Sequence, residues 1–301
     1  MKPSRFTTGA DDVVVGQLRI PRAWINGKRR SARLLYFTRS AGYVHSAVHR
    51  NGSGPALSET ILTELGRQCG VEVIATKDGR VFDDDLSPFD AIAFYTLGDL
   101  TQESGEATPP MSPQGKQRLL AAVAGGKGFL GFHSACDTFL SRDGEIDPYI
   151  AMVGGEFITH DQPQQGTLQV AAPDFPGMGA LGGSLAMHEE WYAMKNFAPD
   201  LHVILVQQTR DMIGGCYGRP PYPVTWARMH GRGRVFYTSL GHCNATWTQP
   251  GFQQIALAGL AWILRRVEAD VAPNIRQVTP YADQWPREHR FAHLLMPAGT
   301  T

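Results

Sequence analysis

The sequence predicts an α/β protein in which a parallel β-sheet is covered by helices on both faces. Strand-like and helix-like segments alternate from residue 33 onward, a pattern typical of parallel sheets whose strands are joined by crossover helices. The chain has 301 residues, 43% of them hydrophobic and 19% charged, which is enough for one large domain or two small ones. The sequence has no internal repeats and no low-complexity segments.

Short apolar runs rich in β-branched and aromatic residues predict the strands. In the first half of the chain these runs are residues 33–38, 71–75, 90–96 and 128–132. In the less regular second half they are residues 167–171, 202–207, 224–227 and 234–239.

Three segments predict the main helices. Residues 57–69 place apolar side chains on one helical face, and Gly70 is suited to end that helix. Ser112 and the proline after it form an N-cap and first turn for a helix that runs to Ala124 and stops at two glycines. Residues 252–268 carry apolar side chains at helical spacing, so this helix should pack on the sheet.

The predicted α/β domain spans residues 31–269, between an N-terminal extension (residues 1–30) and a C-terminal tail (residues 270–301). The extension carries seven basic residues and two acidic ones. It is either a solvated extension or an arm packed on a neighbouring subunit, which leaves a homo-oligomer open.

Composition excludes several classes of function. The formal net charge is zero, whereas a general nucleic-acid binder needs a basic surface. We expect no membrane association, because no apolar run is long enough to span a bilayer, and the N-terminus lacks a signal-peptide core. The four cysteines form no CxxC motif, which predicts reduced, mostly buried thiols and a cytoplasmic protein. The glycine-rich stretches do not match GxGxxG, so we expect no nucleotide cofactor.

Three histidines follow predicted strands. His45 follows the first strand, His133 directly follows the strand at residues 128–132, and His242 follows a late strand. Ligands of open parallel sheets bind at the carboxyl ends of the strands. A single histidine there is more often structural, but three at one edge predict a site. Imidazole serves as a general acid or base, or binds a metal through its neutral nitrogen.

The segment around His133 is the sharpest feature of the sequence. An apolar strand, a small-residue turn and then a reactive side chain are typical of a nucleophile elbow. Because the presented side chain is an imidazole, it cannot form the thioester of a glutaminase. We expect the nearby Cys136 to contribute packing only.

Further polar residues suit a sugar ligand. His160 ends the segment VGGEFITH, and Glu190 stands beside Trp191 and Tyr192. Carboxylates accept hydrogen bonds from hydroxyls, and aromatic faces cover the apolar side of a sugar ring. Simple core packing of Trp191 and Tyr192 is an equally good interpretation.

Several motifs, in sequence order, resemble those of the ThuA-like family. They are GGKGFLGFHSA (125–135), VGGEFITH (153–160), EEWY (189–192), PVTW (223–226), GRVFY (233–237), the Gly241-His242 pair and the helix containing Trp262. Together they cover roughly residues 32–268. The chain departs from the pattern at His230, where an aromatic residue is expected before the Gly-x-Gly-Arg turn.

This resemblance implies a flavodoxin-like fold of the class I glutamine amidotransferase-like superfamily. It also implies the use of trehalose or related disaccharides, with a partner dehydrogenase that oxidises a sugar hydroxyl to a 3-keto sugar. The site residues that it carries over are His45, His133, His160, Glu190 and His242.

Three functional interpretations remain open. The first is a hydrolase, lyase or isomerase of 3-keto disaccharides or glycosides, with His133, His242 and Glu190 as catalytic residues. The residues that would bind its sugar substrate are His45, His160, Trp191 and Tyr192. The second is a hydrolase that uses Zn²⁺ or another divalent metal. Its metal ligands would come from His45, His133, His160 and His242. The third is a non-catalytic sugar-binding or regulatory protein that lacks the nucleophilic cysteine.

Overall fold

A computed structural model of the chain describes residues 31–284 and the backbone of two short strands before them. These strands, β1 (Asp12–Val15) and β2 (Leu18–Pro21), form an antiparallel pair. The remainder of the predicted N-terminal extension and residues 285–301 of the predicted tail lie outside the described residues.

The centre of the described region is a nine-stranded sheet with the strand order β4-β3-β5-β6-β13-β12-β11-β8-β9. The strands are β3 (Ala32–Phe37), β4 (Val71–Thr76), β5 (Ala91–Phe94), β6 (Gly128–Phe132), β7 (Glu156–Thr159), β8 (Gln164–Val170), β9 (Ser184–Glu189), β10 (Ala193–Lys195), β11 (His202–Gln208), β12 (Tyr222–His230) and β13 (Gly233–Thr238). β7 and β10 form a separate antiparallel pair.

The first half of the sheet is parallel, as predicted. β4, β3, β5, β6 and β13 run in one direction. The side chains of the inner strands β5, β6 and β13 are all buried, as expected where helices cover both faces, whereas most of the edge strand β4 is half-buried. Phe132 at the end of β6 pairs with Thr238 at the end of β13. The residues that follow these two strands therefore emerge side by side.

The second half of the sheet is antiparallel, which the expectation of a parallel sheet did not include. β12 and β13 are joined only by Gly231 and Arg232. So short a connection forms a hairpin and cannot cross over to a parallel strand. Gly231 adopts φ 59° in this turn. β11, β8 and β9 continue the antiparallel pairing. The predicted α/β fold class is confirmed, with a mixed sheet.

The predicted helices are present with small differences at their ends. The helices are α1 (Leu57–Gln68), α2 (Pro113–Ala124), α3 (Pro148–Val153), α4 (Asn244–Trp247), α5 (Pro250–Ile263) and α6 (Ile275–Val278). The Ser112 hydroxyl accepts from the backbone N–H of Gly115 and caps α2 as expected. α5 ends at Ile263, before the predicted residue 268, because Arg265 adopts φ 55° and breaks the helix.

Helices cover both faces of the sheet. In β13, Phe236 packs against Gly259 of α5, where even a Cβ atom would lie 2.6 Å from the Phe236 ring. The next residue, Tyr237, points to the opposite face. Its ring packs against Trp226, whose indole N–H donates to the Val153 carbonyl of α3. The site is therefore confined to the strand ends.

Two expectations from composition can be compared with the described residues. All four cysteines are free thiols, with Cys243 half-buried and the others buried, as predicted. Within the described part of the chain, no helix has the length and apolar character needed to cross a membrane.

Candidate functional site

Three histidines that follow different strands lie close together at the carboxyl edge of the parallel half. His45 follows β3, His133 follows β6 and His242 follows β13. The ring centroids of His45 and His133 are 4.8 Å apart, those of His133 and His242 5.2 Å, and those of His45 and His242 5.3 Å. The fold thus brings together the three histidines that the strand ends predicted.

The turn after β6 fixes both the position and the tautomer of His133. His133 begins a 3-10 turn that runs to Asp137, and its φ of 42° is strained for a non-glycine residue. The Tyr237 hydroxyl donates to the His133 carbonyl at 2.6 Å. His133 Nδ1 lies 2.8 Å from the Ser239 carbonyl, which can only accept. Nδ1 therefore carries a proton, and in the neutral tautomer of the ring the lone pair is on Nε2.

Glu190, directly after β9, is the carboxylate shared by three histidines. Its Oε2 lies 3.4 Å from His133 Nε2 and 3.1 Å from His242 Nδ1. Its Oε1 lies 3.1 Å from His160 Nδ1. Glu190 is buried, so its negative charge acts on these rings at short range.

His45, His133, Glu190 and His242, the histidine cluster, are suited to bind a metal ion. One ligand atom from each of them lies within 4.8 Å of the others. The buried nitrogens His45 Nδ1, His133 Nε2 and His242 Nδ1 make no hydrogen bond of regular geometry among the described residues, although the last two lie within ion-pair distance of Glu190 Oε2. Buried polar atoms are nearly always paired. Three convergent exceptions fit the ligand set of a divalent cation.

The charge states of the histidine cluster also favour metal binding. Burial lowers the pKa of His45 to about 2, assisted by the neighbouring His133 and His242, so its ring is neutral near pH 7 and can ligate. Burial acts to raise the pKa of Glu190, but His133 and His242 hold that pKa below its ordinary value. Burial acts to lower the pKa of His242, yet the Glu190 carboxylate raises it overall.

His160 lies at the solvent side of the histidine cluster. It follows β7, and its side chain is 41% exposed. Its Nδ1 also lies 3.1 Å from the Asp161 carbonyl. His160 lies against Oε1 of Glu190, whereas His133 and His242 lie against Oε2. It is not among the four residues whose ligand atoms converge.

The two aromatic residues expected to contact a sugar are both buried. The Trp191 indole N–H donates to the Gln164 carbonyl, and its ring packs on Gly166, where a Cβ atom would lie 2.6 Å away. The Tyr192 ring lies 4.1 Å from the His133 ring. Trp191 therefore packs on β8 and Tyr192 packs on the His133 ring, consistent with the core-packing interpretation.

Two neighbours of the site received no role from sequence. Tyr43 is 65% exposed, and its ring lies 4.9 Å from the His45 ring at 89°. Its only signal in the sequence is its place two residues before His45. Asp137 ends the turn that His133 begins. Burial, followed by the charges of Glu156 and Glu190, raises its pKa to about 7, which makes it a second titratable carboxyl near the site.

Comparisons with known proteins identify one family. The family described as "ThuA: Trehalose utilisation" matches residues 33–263. No curated protein matches the sequence significantly.

Two solved structures share the fold. A ThuA-like protein from Bacteroides uniformis ATCC 8492 is 15% identical with a TM-score of 0.57, and the match covers 79% of this chain and 93% of that one. A ThuA-like protein from Parabacteroides merdae ATCC 43184 is 18% identical with a TM-score of 0.55, over 77% of this chain and 90% of that one. At these identities the likeness concerns the fold alone.

Proposed function

The chain belongs to the ThuA (trehalose utilisation) family, and on that premise we propose that it is a metal-dependent enzyme acting on a carbohydrate. The family implies a carbohydrate-related role. The chemistry of that role must come from the site, because one fold supports many reactions.

The three unpaired nitrogens of the histidine cluster carry this proposal. His45 Nδ1, His133 Nε2 and His242 Nδ1 are buried without hydrogen bonds and converge on the Glu190 carboxylate. In a purely structural cluster His45 Nδ1 would stay unsatisfied at a cost of about 1–3 kcal/mol, and among the described residues His133 Nε2 and His242 Nδ1 would have only their contacts with Glu190. A bound divalent cation would use all of them at once.

In this proposal His45, His133, His242 and Glu190 hold the ion. His133 donates its Nδ1 proton to the Ser239 carbonyl, the second contact that orients most metal-binding histidines. When bound, Zn²⁺ or a related cation supplies a Lewis acid for a sugar oxygen. This arrangement makes His133 and His242 ligands rather than acid and base.

His160 is then the imidazole left free for proton transfer. It faces solvent beside Glu190, where a substrate bound at the histidine cluster would come within its reach. Asp137, whose pKa is raised to about 7, is a second acid near the site. Tyr43 presents an exposed ring beside His45 and suits stacking on the apolar face of a sugar.

A 3-keto disaccharide or glycoside is the substrate class that this chemistry fits best. The keto group acidifies the proton on C2, and His160 removes that proton. The electron pair of the C2–H bond forms a C1–C2 double bond as the C1–O bond breaks. The leaving oxygen takes the proton from the His160 imidazolium, which regenerates the base, and water later adds to C1 of the unsaturated ketone.

Turnover assays of the purified protein test this function. We expect a 3-keto glycoside to be cleaved, activity to be lost after exhaustive chelation and restored by Zn²⁺, Co²⁺ or Mn²⁺, and His160→Ala to lower kcat by about 10²–10⁴-fold. His188→Ala, which changes an exposed histidine of β9, is the matched control and should retain full activity. Full activity after chelation would contradict the metal. Sugar binding without turnover would favour the non-catalytic interpretation.

A further inference from the structure

We infer that Glu189 is a positioning residue that holds His242 and Glu190 together in the histidine cluster. The inference rests on the proposed function, since the cluster is the site that Glu189 would organise. Glu189 is fully buried, and burial of a carboxylate is costly unless its oxygens are hydrogen-bonded.

The Glu189 carboxylate accepts hydrogen bonds from backbone groups on both sides of His242. Its Oε2 accepts from the Gly241 N–H at 3.0 Å, and its Oε1 accepts from the Cys243 N–H at 3.0 Å. Oε1 also accepts from the N–H of Glu190 at 2.9 Å. One carboxylate therefore ties the backbone of two cluster residues to a common point.

The turn that carries His242 is also held from its other side. Gly241 adopts φ 118°, a conformation that side chains rarely allow. Its carbonyl accepts from the Tyr95 hydroxyl and the Trp247 indole N–H, each at 2.9 Å. The N–H of Gly241 is bound to Glu189, so the peptide groups on both sides of its Cα are held by hydrogen bonds. The backbone that positions His242 is therefore fixed.

Only a carboxylate satisfies this arrangement. Both of its oxygens face N–H donors, so the side chain must accept at every position. In Glu189→Gln the amide nitrogen would face the donor of Gly241 in one orientation, or those of Cys243 and Glu190 in the other. Either orientation leaves buried donors opposed and loosens the turn that positions His242.

The two consecutive glutamates therefore have different roles in the site. Glu190 contacts imidazoles, whereas Glu189 accepts hydrogen bonds from the backbone N–H groups that carry His242 and Glu190. Partners of this kind behind a metal ligand typically change affinity by about 10–100-fold when they are mutated.

The test compares Glu189→Gln with Glu59→Gln in the full chain. Glu59 is an equally buried carboxylate, but its partners are Thr38, Arg50 and the N–H of Ala56. We expect Glu189→Gln to weaken Co²⁺ binding by about 10–100-fold and to alter the Co²⁺ absorption spectrum. Glu59→Gln should destabilise the fold and leave both readouts unchanged in the folded protein.

Amide hydrogen exchange of the metal-free protein separates this inference from the proposed function. Glu189→Gln should accelerate exchange at Gly241 and Cys243 even if the wild type binds no Co²⁺, in which case the metal proposal alone fails. Unchanged exchange at these two amides would overturn the positioning role, and so would Co²⁺ affinity and spectrum equal to those of a wild type that binds Co²⁺.

Discussion

Two groups of buried polar residues, the ion-pair network and the histidine cluster, differ in how completely their atoms are hydrogen-bonded. The ion-pair network consists of Thr38, Arg50, Glu59, Lys77 and Glu106. In it, Lys77 Nζ lies 2.6 Å from both Glu106 Oε1 and the Thr38 carbonyl, and Arg50 Nη2 lies 2.8 Å from Glu59 Oε1. Within the described residues, none of its buried side-chain polar atoms lacks a hydrogen bond, whereas the histidine cluster has three such atoms.

This difference separates a structural role from a functional one. A fully paired network recovers the cost of burying its charges and fixes one arrangement of the loops around it. Buried nitrogens without regular hydrogen bonds do not recover the full cost of their burial, and proteins retain such local defects chiefly at functional sites. We therefore expect changes in the ion-pair network to lower stability, and changes in the histidine cluster to lower metal binding and activity.

The largest expected effect on stability is that of Lys77→Met. Lys77 is buried and the Glu106 side chain is only 10% exposed, and removing one partner of a buried pair costs about 3–5 kcal/mol. Urea unfolding should show this loss, while metal binding by the folded protein stays unchanged. Lys116→Met, which breaks the partly exposed pair with Asp147 (side chains 20% and 21% exposed), is the control and should cost about 1 kcal/mol or less. Equal losses of stability in the two variants would mean that the buried pair contributes no more than the partly exposed one.

Protonation of His45 should have a smaller effect on the stability of the fold. Its pKa is about 2 in the folded protein and about 6.5 in the unfolded chain. The unfolded state therefore binds the proton first, so this contribution is present above about pH 6.5 and lost as pH falls, by up to about 1.4 kcal/mol per pH unit. His242, whose pKa is raised, contributes in the opposite direction.

Comparison with His45→Phe isolates the contribution of His45 to the pH dependence of the free energy of unfolding. Urea unfolding of the metal-free protein between about pH 7 and pH 5 should give a shallower decline in stability for His45→Phe than for the wild type. His188→Phe should keep the wild-type slope, because His188 is exposed. A slope unchanged by His45→Phe would mean that His45 is not held neutral by burial.

The parts of the fold that were predicted from sequence are those whose signals are local. Ser112, Pro113 and Gly125 mark both ends of α2, which begins and ends as predicted. β9 was missed because it is an edge strand whose alternate residues are exposed, so it lacks a continuous apolar run. The early end of α5 depends on the conformation of Arg265, which has no signature in sequence.

The candidate site was predictable only to the extent that it follows strand ends. His45, His133 and His242 could be placed at one edge because each follows a recognisable strand. The burial of Trp191 and the exposure of Tyr43 depend on long-range packing, which a local motif does not contain. The contacts of Glu189 with Gly241 and Cys243 join residues more than 50 positions apart, so sequence spacing could not reveal them.

The central claim is that the unpaired nitrogens of the histidine cluster are metal ligands. Inductively coupled plasma mass spectrometry of the purified, untagged protein tests it directly. The account predicts about one equivalent of zinc or another divalent metal per chain, lost in a folded His133→Ala variant and retained in His188→Ala. A well-folded wild-type protein that holds no metal, even after reconstitution with zinc, cobalt or manganese, would contradict it.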